Sequence, residues 1–315
     1  MRIWLTGGTG FVGSNIVRAA LGSGHEVTTT VHSFVPPPDS RFRTTAIDMT
    51  DESAVRTSIL RSAPDAVVHC AILNDYGGLY RHRAQGWDAY VNSTRYIARA
   101  ANTVEAPFVL VSTDWVFDGT QALADEDTPP NPINLYGVLK VASEIVALEH
   151  DGAVARVSGV NGIHYGRPNL PRSQDVGFGY FVASLVASLR RGEMFTVWMA
   201  DDINMVATPS LASECAELVL QIAEEAHTGV FHCCGADAIG RLELAHLACD
   251  VFGLDHSLIR TGAPDYTGIT AGRIPYDTSL TTPRTSALLR RQPNSLQNLL
   301  GRFRDEFDHY TGVAA

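Results

Sequence analysis

The first half of the chain alternates short apolar runs with longer amphipathic stretches. Runs with the length of a strand occupy residues 2–6, 26–31, a short segment ending at 47–49, 64–71 and 107–111. Stretches with helical spacing of apolar residues follow at 15–21, 51–61, 91–101 and 136–150. This regular alternation predicts an α/β fold with a doubly wound parallel sheet.

Beyond residue 150 the pattern is less regular. It predicts further strands at 154–157, 195–199 and 230–233, and helices at 178–191, 241–252 and after residue 284. Thr208 before Pro209 has the form of a helix start, a capping hydroxyl followed by proline, and predicts a helix to about His227. We expect the segment that ends at 230–233 to rejoin the sheet.

Composition and charge exclude several classes of function. The 315 residues are 45% hydrophobic and 18% charged, and the formal net charge of −10 opposes binding to nucleic acid or to an anionic membrane. No apolar run has the length of a signal peptide or a membrane span. The five cysteines lack a CxxC spacing, and the eleven histidines lack an HExxH cluster. We therefore expect a cytoplasmic protein with reduced thiols and no metal site.

A glycine-rich loop, Thr6 to Gly13 (TGGTGFVG), joins the first predicted strand to the first helix. Glycines at Gly7, Gly10 and Gly13 let the backbone turn tightly and approach a pyrophosphate, which the N–H groups of the helix N-terminus then stabilise. A plain glycine-containing turn is the alternative. The position of the loop at the first strand-to-helix junction favours dinucleotide binding.

The end of the second strand indicates which dinucleotide is bound. An NAD-selective site usually has an acidic residue there, whereas this chain has His32 and Ser33, with Arg41 and Arg43 shortly after. The pattern favours NADP(H), with NAD(H) still possible, because the arginines can pair with a 2′-phosphate or remain solvated. Asp48 and Met49 are placed to meet an adenine ring, unless Asp48 only forms a turn.

Groups that can do chemistry follow the fifth strand. Ser112 and Thr113 stand at its carboxyl end, where ligands bind in open parallel sheets. Tyr136 and Lys140 are four residues apart on one face of a predicted helix, so a phenol and an amine can reach one site. Such a pair can exchange a proton near neutrality, although tyrosine and lysine at this spacing are also common surface neighbours.

Taken together, these motifs resemble the extended short-chain dehydrogenase/reductase family: TGxxGxxG at Thr6–Gly13, a hydroxyl after the fifth strand and YxxxK at Tyr136–Lys140. Within it, STDWVFDG at 112–119 is most similar to the STDYVFDG of dTDP-4-dehydrorhamnose reductases. The resemblance implies a Rossmann-type domain at 1–160, which 200–234 rejoins, and a smaller substrate-binding domain at 161–199 and 235–315. It also implies a homodimer packed through the helices from about Val91 and Tyr136.

The resemblance also implies roles for individual residues. Tyr136 would donate a proton, Lys140 would hold the nicotinamide ribose and lower the tyrosine pKa, and Thr113 would polarise the substrate carbonyl. The substrate would also meet Ser112, Asp114, Trp115 and Arg273. The expected cofactor contacts, besides Lys140, are Gly7, Thr9, Gly10, Phe11, Val12, Gly13, His32, Ser33, Asp48, Met49, Cys70, Ala71 and Asn92.

The expected activity is NADP(H)-dependent reduction of a nucleotide-linked 4-keto-deoxysugar. Related dehydratases are similar to STDEVYG, and Trp115 stands here in place of their glutamate, which favours ketone reduction over water elimination. The glycine loop is closer to the epimerase branch, and Thr281-Thr282 replace a common acidic residue. Two alternatives therefore stay open: an epimerase or reductase of another ketone, such as a polyketide or cyclitol intermediate, and a non-catalytic NADP-binding regulatory subunit.

Several other residues have both a functional and a structural interpretation. Arginines can grip phosphates or lie on the surface, and aromatic side chains can stack on a sugar or base or pack in the core. The irregular stretch 162–177 is a candidate to close over a substrate. The residues in question are Arg81, His82, Arg83, Arg273 and Arg284 for phosphates, and Trp198 and Tyr276 for stacking.

Overall fold

A seven-stranded parallel sheet lies at the centre of the structure, a computed structural model that describes residues 1–31, 41–73, 75–167, 173–266 and 272–311. Its strands are β1 (Arg2–Thr6), β2 (Glu26–Val31), β3 (Phe42–Ala46), β4 (Ala66–His69), β5 (Phe108–Thr113), β6 (Ala153–Val157) and β11 (Gly229–Cys233). They lie in the order β11-β6-β5-β4-β1-β2-β3, and every neighbouring pair is parallel.

The remaining strands are short and form three small sheets. They are β7 (Val160–Asn161), β8 (Phe195–Trp198), β9 (Val206–Ala207), β10 (Ser210–Leu211), β12 (Ile239–Gly240), β13 (Ile259–Gly262) and β14 (Asp277–Thr278). β10 pairs with β7, β13 pairs with β8, and β9 lies between β12 and β14.

The helices connect these strands in chain order. They are α1 (Phe11–Gly22), α2 (Glu52–Ser62), α3 (Tyr76–Arg81), α4 (Arg83–Trp87), α5 (Ser93–Thr103), α6 (Leu135–Glu149), α7 (Phe181–Arg190), α8 (Ala212–Glu224), α9 (Arg241–Phe252), α10 (Pro283–Leu289) and α11 (Leu296–Thr311). A π-helical segment, Asp88–Asn92, joins α4 to α5. No helix in the described ranges combines the length and apolar character that a membrane span requires.

Helices cover both faces of the central sheet because successive residues of a strand point to opposite faces. Ile3 and Leu5 of β1 pack with α1 and α8 in one apolar cluster. Trp4, between them, packs with α2 and α5 in another. The predicted doubly wound parallel sheet is therefore confirmed.

A separate apolar cluster joins the later helices. Phe181 and Leu185 of α7, Leu244 of α9, and Leu300 and Phe303 of α11 are all buried in it. This second core is what a smaller domain would need, and β11 lies at the edge of the central sheet as expected for a segment that rejoins it. The division into two domains stays a prediction.

Two predicted helix starts were wrong. The helix expected from Thr208 begins at Ala212, because the Thr208 hydroxyl donates to the Leu280 carbonyl at 3.0 Å and residues 210–211 pair as β10. The helix expected from Val91 is the continuation of a helical path that starts at Arg83. In both places a tertiary contact or a preceding helix overrides the local start signal.

A buried ion pair fixes α6 on the sheet. Arg156 of β6 donates to both oxygens of Glu144 in α6, with Nε–Oε1 at 3.0 Å and Nη2–Oε2 at 2.7 Å, and both side chains are 3% exposed. The hydroxyl of Ser112, in β5, donates to Glu144 Oε1 at 2.5 Å. Three elements are thus joined by one carboxylate that water does not reach.

Removing one partner of this pair should destabilise the fold strongly. Arg156→Met leaves the Glu144 carboxylate buried without its cation, so we expect the free energy of unfolding to fall by about 3–5 kcal/mol in urea denaturation. The double variant Glu144→Leu/Arg156→Met should recover much of the loss. Arg191→Met, which breaks the exposed Arg191–Glu193 pair, is the control and should change little. If Arg156→Met and Arg191→Met lowered the free energy of unfolding equally, this assignment would be contradicted.

Candidate active site

The glycine loop has the geometry of an anion-binding turn. Gly7 has a φ of +73°, which favours glycine, and its carbonyl accepts the Gly10 N–H at 2.8 Å. A Cβ on Gly13 would lie 2.1 Å from that carbonyl oxygen, so only glycine fits there. Gly10 is the N-cap of α1 and gives no side-chain cap, which leaves the first-turn N–H groups for a ligand.

Threonine hydroxyls hold this loop against neighbouring strands. The Thr29 hydroxyl accepts the Gly8 N–H at 3.0 Å. The Thr6 hydroxyl accepts the N–H groups of Cys70 and Ala71, both at 3.0 Å. The structure therefore brings Cys70 and Ala71 beside the glycine loop, where the sequence places cofactor contacts.

Among the expected contacts farther from the loop, those that the structure describes have partners within the protein. His32 and Ser33 lie outside the described residues. The Asp48 carboxylate accepts the N–H and hydroxyl of Thr50, which is the turn-forming alternative, and Met49 packs against the cluster around Trp4. The Asn92 amide donates to Asp88 at 2.6 Å. Their roles towards a cofactor stay predictions.

Thr113 and Asp114 form the centre of a buried hydroxyl network at the end of β5. The Thr113 hydroxyl donates to Asp114 Oδ1 at 3.0 Å, and the Ser158 and Thr278 hydroxyls donate to Oδ2 at 2.8 and 2.7 Å. Burial raises the pKa of Asp114, while these three donors favour its charged form. Asp114 is only 4% exposed, so it joins three segments instead of facing a ligand directly.

Tyr136 stands in an aromatic enclosure. The rings of Tyr76, Tyr90 and Trp115 meet it edge-on, with centroid distances of 5.3, 6.0 and 6.0 Å. Burial raises the pKa of the Tyr136 phenol well above its usual value, and a hydrogen bond with Thr113 acts in the opposite direction. The phenol therefore keeps its proton at neutral pH until a stronger base reaches it.

Lys140 lies one helical turn after Tyr136 and is 4% exposed. Its ammonium donates to the Val111 carbonyl at 2.9 Å and lies 5.7 Å from the centre of the Tyr90 ring. Burial lowers the pKa of Lys140 to about 8, so the amine is still mostly charged at pH 7. The expected lowering of the tyrosine pKa is not the net effect here, because burial of the phenol outweighs nearby favourable contacts.

Some of the expected substrate contacts border Tyr136 or are exposed, and others are occupied by partners within the protein. Trp115 borders Tyr136, and Arg273 is exposed, with its carbonyl accepting the Asn134 amide at 3.0 Å. The Ser112 hydroxyl is buried and occupied by Glu144, so it supports α6. Arg284 pairs with Asp127. None of these contacts tests a role in substrate binding.

An open cavity of about 520 Å³ lies beside this region. Met199, Met205, Val206, Leu242 and Tyr276 line it. Met205 and Val206 also pack in the cluster that contains Tyr136 and Trp198. The cavity therefore adjoins the apolar cluster to which Tyr136 belongs.

Sequence reasoning missed three side chains that surround Tyr136 or border its neighbours. Tyr76 and Tyr90 belong to segments far from Tyr136 in sequence, and only their helical placement brings them together. Asp175 lies in the irregular stretch 162–177. Burial raises the pKa of Tyr76, and the charge of Asp175 adds a smaller effect in the same direction. The closely spaced Tyr76 and Tyr80 were the available sequence signal for Tyr76, and no motif pointed to Tyr90 or Asp175.

His69 lies beneath the site as a buried, neutral base. Its Nδ1 is 2.7 Å from the Thr6 hydroxyl, and the ring is 2% exposed. Burial, with a smaller effect from the Lys140 charge, lowers the pKa of His69 to about 3. Protonation of this ring would therefore accompany unfolding.

Comparison with known proteins adds to this geometry. The family described as "RmlD substrate binding domain" matches residues 1–308. The probable low-salt glycan biosynthesis reductase Agl14 of Haloferax volcanii is 29% identical over 83% of this chain and 83% of its own length. Methionine adenosyltransferase 2 subunit beta of Bos taurus is 25% identical over 82% of this chain and 74% of its own.

Solved structures are similar over almost the whole chain. The crystal structure of a hypothetical dTDP-4-dehydrorhamnose reductase from Sulfolobus tokodaii has a TM-score of 0.75 and 26% identity, and covers 94% of this chain and 97% of its own. The resemblance inferred from the TGxxGxxG, STDWVFDG and YxxxK motifs is therefore confirmed.

Acid should destabilise the protein through His69. The folded pKa lies below the unfolded value of about 6.5, so the unfolded chain binds a proton first, and stability is lost from pH 6.5 downwards. Between pH 8 and pH 5 this group should cost about 2 kcal/mol. Urea denaturation at each pH should show that His69→Asn reduces the loss of unfolding free energy between pH 8 and pH 5 by this amount. Exposed His309→Asn should not, and an unchanged loss in His69→Asn would refute the assignment.

Proposed function

Because the chain belongs to the family described as RmlD substrate binding domain, we propose that it is an NADP(H)-dependent reductase of a nucleotide-linked 4-keto-deoxysugar. The observation that carries this proposal is the convergence of Thr113, Tyr136 and Lys140. Thr113 ends β5 and interacts with the Tyr136 phenol, and the Lys140 ammonium reaches back to Val111 of the same strand.

The glycine loop fits the pyrophosphate of a dinucleotide. A side chain on Gly13 would occupy the space under the loop, and the N-terminus of α1 has no side-chain cap. In the proposed complex, Gly7 to Gly13 hold the pyrophosphate, and Lys140 contacts the nicotinamide ribose. When bound, NADPH supplies the hydride. Arg41 and Arg43 are the proposed partners of the 2′-phosphate.

Tyr136 supplies the proton in this proposal. Its raised pKa keeps the phenol protonated at neutral pH, so it transfers the proton only to the strongly basic oxygen that forms as the ketone is reduced. The Lys140 ammonium, with a pKa of about 8, is mostly charged and stabilises the phenolate left behind. The Thr113 hydroxyl lies beside the phenol and orients the carbonyl oxygen.

The surroundings of Asp114 favour reduction over water elimination. Elimination needs an acid and a base beside the sugar, and Trp115 stands where related dehydratases have a glutamate. The Asp114 carboxylate is buried and accepts three hydroxyls, so it is held away from acid-base exchange with a ligand.

A non-catalytic role is the second candidate. The relative from Bos taurus is named as a subunit of methionine adenosyltransferase, so family membership alone does not decide for catalysis. The retention of Thr113, Tyr136 and Lys140 in contact-forming positions favours the enzyme. A protein that binds NADPH tightly but reduces no keto-sugar nucleotide would support the regulatory role.

Replacing the Tyr136 phenol should abolish most of the activity. Tyr136→Phe removes the proton donor but keeps the ring, so we expect kcat with NADPH and dTDP-4-keto-6-deoxyglucose to fall about 100- to 10,000-fold. Loss of NADPH absorbance at 340 nm measures the rate, and NADPH affinity should change little. Tyr96→Phe, on α5 away from the site, is the control. Wild-type rates in Tyr136→Phe would refute the mechanism.

We also propose that the chain forms a homodimer through α6 and the continuous helical path that runs from α4 to α5. Apolar side chains remain exposed on α6, at Val138, Ile145 and Leu148, and on α4, at Trp87, with exposed fractions of 44%, 53%, 38% and 44%. An apolar helix face of this kind is typical of a protein–protein interface.

A charge in the middle of this face should separate the dimer. Ile145→Asp places a carboxylate in an apolar interface, so light scattering after gel filtration should give the mass of a monomer where the wild type gives a dimer. Leu288→Asp, at a 43% exposed position on α10, is the matched control and should stay dimeric. A monomeric wild type, or a dimeric Ile145→Asp variant, would contradict the interface.

A further inference from the structure

The loop that carries Asp175 is held rigidly from behind. Arg241, which is fully buried in α9, donates to the carbonyls of Asp175, at 2.8 Å, and of Gly177. The Asn204 N–H donates to the Val176 carbonyl at 2.9 Å. These contacts fix the backbone on both sides of Asp175, so the position of its carboxylate is set by the fold.

The Asp175 side chain is exposed, although protein surrounds it closely. Its Oδ1 accepts the Gly177 N–H at 2.8 Å. A Cβ on Gly177 would lie 3.4 Å from that oxygen and 3.2 Å from Cζ2 of Trp115. The protein atoms packed around the carboxylate remove part of its hydration and raise the pKa of Asp175 to about 6, so it is mainly ionised at pH 7. Part of the carboxylate is therefore open to solvent, while protein atoms enclose the rest.

This carboxylate lies next to the aromatic rings that surround Tyr136, the proposed proton donor. Trp115 lies across Gly177 from it, and its charge acts on Tyr76, whose ring stacks with Trp115 at 6.1 Å. Both rings contact Tyr136. An ionised acceptor and two aromatic rings therefore share one side of the site.

We propose that Asp175 is a specificity-determining residue that accepts a hydrogen bond from a ring hydroxyl next to the reacting ketone. This inference rests on the proposed reductase function and deepens it. It assigns the substrate to uncharged sugar rings that retain a hydroxyl beside the carbonyl, while the aromatic rings of Tyr76 and Trp115 contact the apolar C–H face of the sugar.

The chemistry of the two rival substrate classes supports this choice. A hydroxyl donating to an ionised carboxylate makes a charge-assisted bond, stronger than one between neutral groups. An apolar ketone would cover the carboxylate without giving it a donor, which costs binding energy. A ring that carries a carboxylate would be repelled by Asp175. Sites built to bond a hydroxyl reject analogues that lack it.

The test compares two substrates in the wild type and three variants. The substrates are dTDP-4-keto-6-deoxyglucose and its 3-deoxy analogue, which lacks the hydroxyl beside the ketone. For Asp175→Ala we expect kcat/KM to fall about 10- to 100-fold with the first and to stay unchanged with the second, so that discrimination between them disappears. Asp175→Asn, which keeps an oxygen for the Gly177 N–H, should lose part of the discrimination between the two substrates. Asp201→Asn, a change at an exposed aspartate, is the control.

Equal losses with both substrates, or no loss with either, would overturn the role of Asp175. A binding measurement separates this inference from the reductase function. Calorimetry of NADP-saturated protein should show that Asp175→Ala weakens dTDP-L-rhamnose but not dTDP. If the wild type turns over no keto-sugar but shows this binding difference, the reductase function fails and the Asp175 assignment stands. If Asp175→Ala binds dTDP-L-rhamnose as the wild type does, the assignment fails.

Discussion

The site depends on how α6 is held against the sheet. Tyr136, Lys140 and Glu144 follow one another at four-residue intervals, so they share one face of this helix. Glu144 is paired with Arg156 of β6 and bonded by Ser112 of β5, while Lys140 donates to Val111 of β5. Buried polar contacts of this kind allow few alternative arrangements, because any shift leaves a charge unpaired. The position of the Tyr136 phenol follows from them.

A second buried cation fixes the loop that carries Asp175. The guanidinium of Arg241 lies over the rings of Phe178 and Phe181, at 5.1 and 5.6 Å, and its N–H groups bond backbone carbonyls of the loop at 174–177. Burial lowers the pKa of Arg241 to about 10, which still leaves it charged. Because the loop is tied to α9, Asp175 and the Trp115 ring stay close to each other.

Tyr136 and Lys140 are both buried, and burial shifts their pKa values in opposite directions. The aromatic rings around Tyr136 bury the phenol and raise its pKa, and burial lowers the pKa of the Lys140 ammonium to about 8, so the two groups differ more in proton affinity than the free side chains do. A phenol that holds its proton beside a charged amine suits donation to a newly formed alkoxide. The hydroxyl network around Asp114 holds Thr113 in place, because the Thr113 hydroxyl donates to the same carboxylate as Ser158 and Thr278.

The sequence by itself determined the parallel sheet, the glycine loop and the pair of Tyr136 and Lys140, because each depends on local periodicity or on residues close in the chain. It placed two helix starts wrongly, at Thr208 and Val91, where contacts with Leu280 and with the preceding helix override local signals. Only the tertiary structure decided that Ser112 supports Glu144, that Tyr76 and Tyr90 enclose Tyr136, and that Asp175 borders Trp115. These contacts join residues far apart in sequence, and no spacing along the chain encodes them.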